Sequence, residues 1–228
     1  MLEDKRIRII LGHYGSGKTE FAVNYVLKLS EIKGKITIVD LDIINTYFRS
    51  REKEDLFSQR GIELIGSSVK GRNITAELPA LAPNIYRALQ DDAREVIIDV
   101  GGDSVGAKIL AQYKNYFNED NCELFFVVNA NRPETDTSKK VREYIEGIEA
   151  ECKMKTTGLI NNTHMLQYTT KEDIIKGNDI VSEISQLMNI PVKYTCFIKK
   201  IEEDIPKEIA GEKFIIDMIM REKWMLVE

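Results

Sequence analysis

The chain has 228 residues, is 43% hydrophobic and 30% charged, and carries a net charge of −5 with a pI of about 5.4. That length suits one sizeable α/β domain over residues 1–228, and the acidic balance excludes a general nucleic-acid-binding surface. Cys122, Cys152 and Cys196 are far apart and form no C-x-x-C pair, which excludes a zinc or disulfide framework and fits buried, reduced thiols in a cytoplasmic protein. The N-terminal residues contain no signal-peptide core, and no apolar run approaches the ~20 residues of a membrane span.

In chain order, Ile7-Arg8-Ile9-Ile10-Leu11 is a short apolar run suited to a buried strand. Gly12-His13-Tyr14-Gly15-Ser16-Gly17-Lys18-Thr19 follows and reads G-x-x-x-x-G-K-T, the P-loop pattern. A helix is expected next, with Phe21, Tyr25 and Leu29 on one face. Strand, glycine loop and helix in that order are the context in which the motif binds phosphate. The helix N-terminus supplies N–H donors and positive potential. Gly12, Gly15 and Gly17 let the backbone wrap closely, with His13, Tyr14 and Ser16 completing the loop. Lys18 would reach the terminal phosphates and the Thr19 hydroxyl would be a Mg²⁺ ligand.

Lys33-Gly34 ends the helix, and Ile36 to Val39 opens a second strand that runs into Asp40-Leu41-Asp42. Residues 43–60 read as a loop and a short polar helix, and Ile62 to Ile65 as a third strand. Residues 66–84 read as a long loop, followed by a helix with Ile85, Ala88 and Leu89 inward. Val96 to Val100 is the fourth strand. After Gly101-Gly102-Asp103-Ser104 a helix is expected with Val105, Ile109, Tyr113 and Tyr116-Phe117 on one side.

Leu124 to Val128 is fully apolar and therefore a central strand. Val141, Tyr144, Ile145 and Ile148 stripe a helix, and a sixth strand from Gly158 ends at Asn161-Asn162. Ile180, Ile184, Leu187 and Met188 stripe the next helix, Pro191 to Cys196 forms the seventh strand, and the chain is expected to be helical from about Pro206. This alternation predicts an α/β fold with three layers, α/β/α, around a mainly parallel sheet of about seven strands. Ligands then sit beyond the C-terminal strand ends, where Gly12 to Thr19, Asp40, Asp42, Asp99 to Asp103, Asn129 to Arg132 and Asn161-Asn162 gather.

Asp99 follows an apolar strand run and would hold Mg²⁺ through water, together with Thr19. Gly101-Gly102 would bring a backbone N–H of Gly102 to the γ-phosphate, and Asp103 is either part of the site or the N-cap of the next helix. Asp40 and Asp42 both approach the metal, Asp40 as a ligand and Asp42 as the group that orients the attacking water, unless the pair is structural. Arg49, Arg51, Lys70 and Arg72 either hold an anionic group or are solvated.

A P-loop, a D-x-D after the following strand and an apolar-D-x-G-G run together resemble the SIMIBI class of P-loop NTPases, and in particular the CobQ/CobB/MinD/ParA nucleotide-binding superfamily. Val127 to Pro133, Leu159 to Asn162 and Met188 to Val192 fall where that superfamily has its later strands. The resemblance implies ATP hydrolysis with Mg²⁺ and a nucleotide-driven cycle with a partner protein. By motif position Lys18 and Asp42 are the catalytic residues, Thr19 and Asp99 the metal residues, and Asn162, with Asn161 second, the adenine contact. No N-K-x-D occurs, which argues against guanine.

His13 stands where partition-type ATPases of this superfamily have a signature lysine that reaches across a dimer; the shorter His13 tells against activation in trans, a homodimer stays open, and His13 either lines the loop or has a catalytic task. No iron–sulfur ligand pair and no His-rich metal tract occur. Phe214 to Val227 is unusually apolar. With Lys207, Lys213, Arg221 and Lys223 set against Glu208, Glu212, Asp217, Glu222 and Glu228, it reads as packing on the sheet or a subunit and not on an anionic membrane surface. Two other functions remain beside the partner-regulating ATPase: an ATP-dependent small-molecule kinase or ligase of the dethiobiotin-synthetase type, and a nucleotide-binding module with negligible turnover.

Overall fold

The apolar runs assemble as parallel neighbours because each is followed by a helix that carries the chain back across the sheet. The computed structural model describes residues 1–42, 50–66 and 83–221. Its strands are β1 (Ile7–Gly12), β2 (Ile36–Leu41), β3 (Ile62–Ile65), β4 (Glu95–Val100), β5 (Cys122–Val128), β6 (Gly158–Asn161), β7 (Val192–Phe197) and β8 (Glu212–Ile215). Among the described residues they form one eight-stranded sheet in the order β3-β2-β4-β1-β5-β6-β7-β8. Every neighbouring pair is parallel. The helices are α1 (Lys18–Ser30), α2 (Glu54–Gln59), α3 (residues 83–90), α4 (Ser104–Ala111), α5 (Ser138–Cys152) and α6 (Lys171–Met188).

Side chains two residues apart on a strand share a face, and this divides the core. Ile7, Ile9, Leu11, Ile98, Val100, Phe126 and Val128 pack against the helices α3 to α6. Ile10, Ile38, Ile97, Phe125 and Val127 point the other way, under Phe21, Val23 and Tyr25 of α1 and Phe57 of α2. Asp40 and Asp99 continue this second set at the strand ends, so both carboxylates emerge on the side of α1. At the opposite end of the sheet a buried anchor ties the layers together. Asp4 accepts hydrogen bonds from the Tyr25 hydroxyl at 2.7 Å and from the Tyr194 hydroxyl, and pairs with Lys193 at 3.0 Å. Burial pulls the Asp4 carboxyl up, and those three partners more than offset it, leaving its pKa below the usual carboxylate value.

Three expectations need correction. The helix after Asp103 ends at Ala111, not beyond Tyr116. Tyr113 and Tyr116 instead leave it through tight turns and pack on Tyr86 with ring centroids 5.4 and 5.3 Å apart, while Val105, in the first turn beyond the end of β4, is 39% exposed. On α6 the buried stripe is Ile174, Val181 and Ile184, and Leu187 is 60% exposed.

The largest correction is at the C-terminal end of the described chain, where the expected helix is replaced by an eighth strand, β8. Its burial has a period of two. Phe214 and Ile216 turn toward α1, and Ile215 packs with Phe197, Ile201 and Ile205 on the other side. A continuous apolar run does not reveal that alternation, because both faces of the strand are covered. Phe214 joins the rings of Phe21, Tyr25 and Tyr194 at 5.2, 6.2 and 5.5 Å. Burying an aromatic side chain of this size stabilises by roughly 1.5–3 kcal/mol, which fixes β8 onto the layer containing the P-loop helix. Trp224 to Val227 lie outside the described residues.

Candidate functional site

All the strands end at one edge of the parallel sheet, and that edge carries the loop between β1 and α1. Gly17 sits in the left-handed region at φ 82° and ψ 25°, and no side chain caps α1. The first N–H groups of α1 are therefore left for an anion. A Cβ on Gly17 would also stand 2.4 Å from Asn162 Nδ2, so only glycine fits. Three contacts fix the loop: Ser16 N–H donates to His13 O at 3.1 Å, Asn162 Nδ2 to Ser16 O at 2.8 Å, and Arg132 Nε to Gly15 O at 3.0 Å. Gly102 packs on the loop so closely that a Cβ there would meet Gly12 O at 2.3 Å, and its own carbonyl accepts from the Tyr144 hydroxyl. His13 donates from Nδ1 to Tyr14 O at 2.8 Å and meets the Tyr144 ring edge-on at 5.1 Å. Tyr14, at the apex, is 65% exposed.

Beneath the loop Lys18, Thr19, Asp40, Asp42 and Asp99 are all buried. Asp40 and Asp99 are register partners on β2 and β4, and Asp42 N–H donates to Asp40 Oδ1 at 3.1 Å. Neither Asp99 oxygen receives a hydrogen bond from the described residues. Burial first, then the charges of Asp40 and Asp42, push its pKa up to about 8, against the opposing pull of Lys18 and the nearby Thr19 hydroxyl. Asp103 is the N-cap of α4, accepting from the N–H groups of Val105 and Gly106 at 2.9 Å each.

The raised pKa gives a signed expectation. A carboxyl whose folded pKa lies above its unfolded value stabilises fully below the unfolded pKa, and that contribution disappears as pH rises through the folded pKa. The nucleotide-free, chelator-treated protein should therefore lose stability in urea unfolding as pH rises from about 4 to about 8, and Asp99→Asn should flatten the loss. An equal slope in wild type and variant would show that Asp99 does not carry it.

A cavity of about 450 Å³ opens from the loop. Its polar lining includes Lys18, Thr19, Arg132, Asn162 and His164, and its apolar wall is Leu166, Phe197, Ile198, Ile216, Met218 and Met220. Helix α1 holds this wall directly. Glu20 Oε1 accepts from Ile219 N–H at 2.6 Å and Met220 N–H at 3.1 Å, and Asn24 exchanges two 2.8 Å hydrogen bonds with the Asp217 backbone. Sequence reasoning missed the wall because it is drawn from three separate segments with no shared motif. It also missed His164. Nδ1 of His164 accepts from Leu166 N–H at 3.4 Å, which leaves the ring proton on Nε2. Burial, with Arg132 and Arg221 nearby, pushes its pKa down to about 4, so the ring is neutral at physiological pH.

Asn161 is not part of the cavity lining: its Nδ2 donates to Ile174 O at 3.1 Å and its Oδ1 accepts from Thr163 N–H at 3.2 Å. Arg49, Lys70 and Arg72 lie outside the described residues, as does the side chain of Arg51. Among the described residues no group of three or more His, Cys, Asp or Glu side chains is arranged to cage a metal. No helix among them is long and apolar enough to cross a membrane.

No protein-family model and no curated protein matches the sequence. Solved structures do match the fold. The signal recognition particle receptor FtsY from Elizabethkingia anophelis, in complex with GDP, aligns with a TM-score of 0.55 at 17% identity, over 85% of this chain and 57% of that one. Chloroplast FtsY from Physcomitrella patens aligns with a TM-score of 0.55 at 17% identity, over 83% and 57%. FtsY from Mycoplasma mycoides gives 0.53 at 18%, over 84% and 60%. The chain thus spans less than two thirds of the length of these neighbours. With its P-loop between β1 and α1 and its parallel sheet, the chain has the fold of the SIMIBI-class P-loop NTPases.

Proposed function

We propose that this chain binds ATP with Mg²⁺ and hydrolyses it, and that its nucleotide state regulates a partner protein. The observation that carries this reading is the uncapped N-terminus of α1, which opens into a cavity lined by Lys18 and Thr19 and by an apolar wall. A polyphosphate suits the first set of groups and a flat base the second. The GDP bound by the FtsY of E. anophelis supports a nucleotide as the ligand.

The donor set fits Mg²⁺. That ion takes one or two carboxylates and completes its shell with water and phosphate, so it needs no cage of protein ligands. Both unpartnered oxygens of Asp99, with the neighbouring Thr19 hydroxyl and Asp40, supply such a set. The bound ion would neutralise charge on the phosphates. Lys18 holds the terminal phosphates, Asp42 directs the attacking water, and Gly102, packed on the loop, transmits the state of the γ-phosphate to α4. Tyr14 and Val105, 65% and 39% exposed beside that loop, offer apolar surface for a partner to read it.

Adenine is favoured over guanine. With Nδ2 of Asn162 committed to Ser16 O, its Oδ1 is left to accept, and adenine offers an amino donor where guanine offers a carbonyl. His164 Nε2–H adds a donor, matched to an adenine ring nitrogen. In competition against labelled ATP, unlabelled ATP should therefore displace the label with roughly tenfold or greater advantage over GTP, the scale of one mismatched buried hydrogen bond. Equal potency of the two would remove the adenine assignment, and the failure of both to bind would remove the nucleotide reading.

A further inference from the structure

The β5–α5 loop holds a second cation against the P-loop. Its bend is fixed at both ends: Arg132 N–H donates to Asn129 O at 3.0 Å, Thr135 N–H to Arg132 O at 2.9 Å, and the Thr135 hydroxyl to Asn129 O at 2.7 Å. A second pair of contacts ties it to α6, where Asn131 Nδ2 donates to Asp173 at 2.7 Å and Lys176 donates to Asn131 Oδ1 at 3.1 Å. Arg132 therefore leaves a rigid backbone, and its Nε donates to Gly15 O. The guanidinium lies along the loop: a Cβ on Gly15 would stand 3.1 Å from Nε and 3.5 Å from one terminal nitrogen.

One bond from Nε uses one of five donors, and the other four sit on the terminal nitrogens. No carboxylate lies within 4 Å of Arg132 among the described residues, although Glu134 is two positions away. An arginine kept on a phosphate-binding loop without an acidic partner is not explained by a surface ion pair.

We propose that Arg132 is a phosphate-binding residue supplied in cis, its Nε anchored on Gly15 O so that its terminal nitrogens contact the terminal phosphates of the bound nucleotide. The inference rests on the nucleotide-binding reading above and adds a residue to it. Anchoring through Nε fixes the fork without using it, so little side-chain freedom is lost when phosphate oxygens are engaged. The loop joins the P-loop to α6, so occupancy of the phosphate site is felt on that helix as well.

The test compares the full-length wild type with Arg132→Gln and Arg132→Ala, using calorimetric titration with Mg·ATP at low and high salt. Gln keeps an amide donor for Gly15 O and lacks the charge. Both variants should lose roughly tenfold or more in ATP affinity, as when a charge-assisted hydrogen bond is removed, and the loss should shrink at high salt. Arg132 is exposed, so both variants should keep wild-type thermal unfolding when nucleotide-free. Wild-type affinity in Arg132→Gln would overturn the inference, leaving Arg132 as a prop for the loop. A wild-type protein that binds no nucleotide would overturn the reading beneath it, and the two failures are therefore distinct.

Discussion

Lys18→Ala should lower Mg·ATP affinity by roughly 10²-fold, the largest binding loss expected from a single substitution in this chain. Lys18 is 5% exposed, begins α1 and makes no ion pair within 4 Å among the described residues. Its charge is felt by Asp99, which it pulls toward ionisation against the burial and the two other aspartates that push the other way. Replacing Lys18 removes the cation that faces the phosphates, and that loss opposes a polyphosphate. Nucleotide-free stability should change far less than affinity, because the helix, the loop braces from Asn162 and Arg132 and the core beneath do not use the ammonium group. Calorimetry that found wild-type ATP affinity in Lys18→Ala would remove the phosphate-site assignment.

The parts of the fold that were legible in the sequence are those with local causes. β1, α1 and β2 could be read because apolar runs, glycine punctuation and the spacing of Phe21, Tyr25 and Leu29 all refer to neighbours within a few turns. The strand-end cluster followed from parallel topology alone, since every parallel strand delivers its carboxyl end to the same edge. β8 was not legible. Its pairing with β7 depends on Phe214 finding Phe21, Tyr25 and Tyr194, side chains distributed over most of the chain. The apolar wall of the cavity was hidden for the same reason: Glu20 and Asn24 on α1 meet the backbone of residues 217–220, nearly 200 positions later. The Asp103 cap was one of two readings of the same residue, and only the two 2.9 Å bonds to Val105 and Gly106 decide between them.

Asp42→Asn separates binding from turnover. Hydrolysis needs a water placed in line with the γ-phosphate, while binding draws mainly on the loop, Lys18 and the metal. Asp42 lies one residue past β2, is 5% exposed, and has its N–H held by Asp40 Oδ1 at 3.1 Å. Its Oδ1 would be 3.2 Å from a Cβ on Gly101, so it faces the turn that leads to Gly102. Asparagine keeps the size and removes the charge and the capacity to accept a proton. ATP affinity should stay within a few-fold of wild type, and bound ATP should be hydrolysed roughly 10²-fold more slowly, the usual scale for a positioned acid–base group. Single-turnover measurement at saturating protein is the appropriate assay, because it isolates the chemical step from product release. Asp40→Asn is the informative companion. Asp40 opposes Asp99 in the register and shares the metal side, so its loss should weaken Mg²⁺ dependence more than it slows the chemistry of the bound complex. If Asp42→Asn turns over at the wild-type rate and Asp40→Asn does not, the water-directing role belongs to Asp40. If neither changes turnover, the two carboxylates serve to shape the strand end, and the binding module without significant hydrolysis becomes the better account of the site.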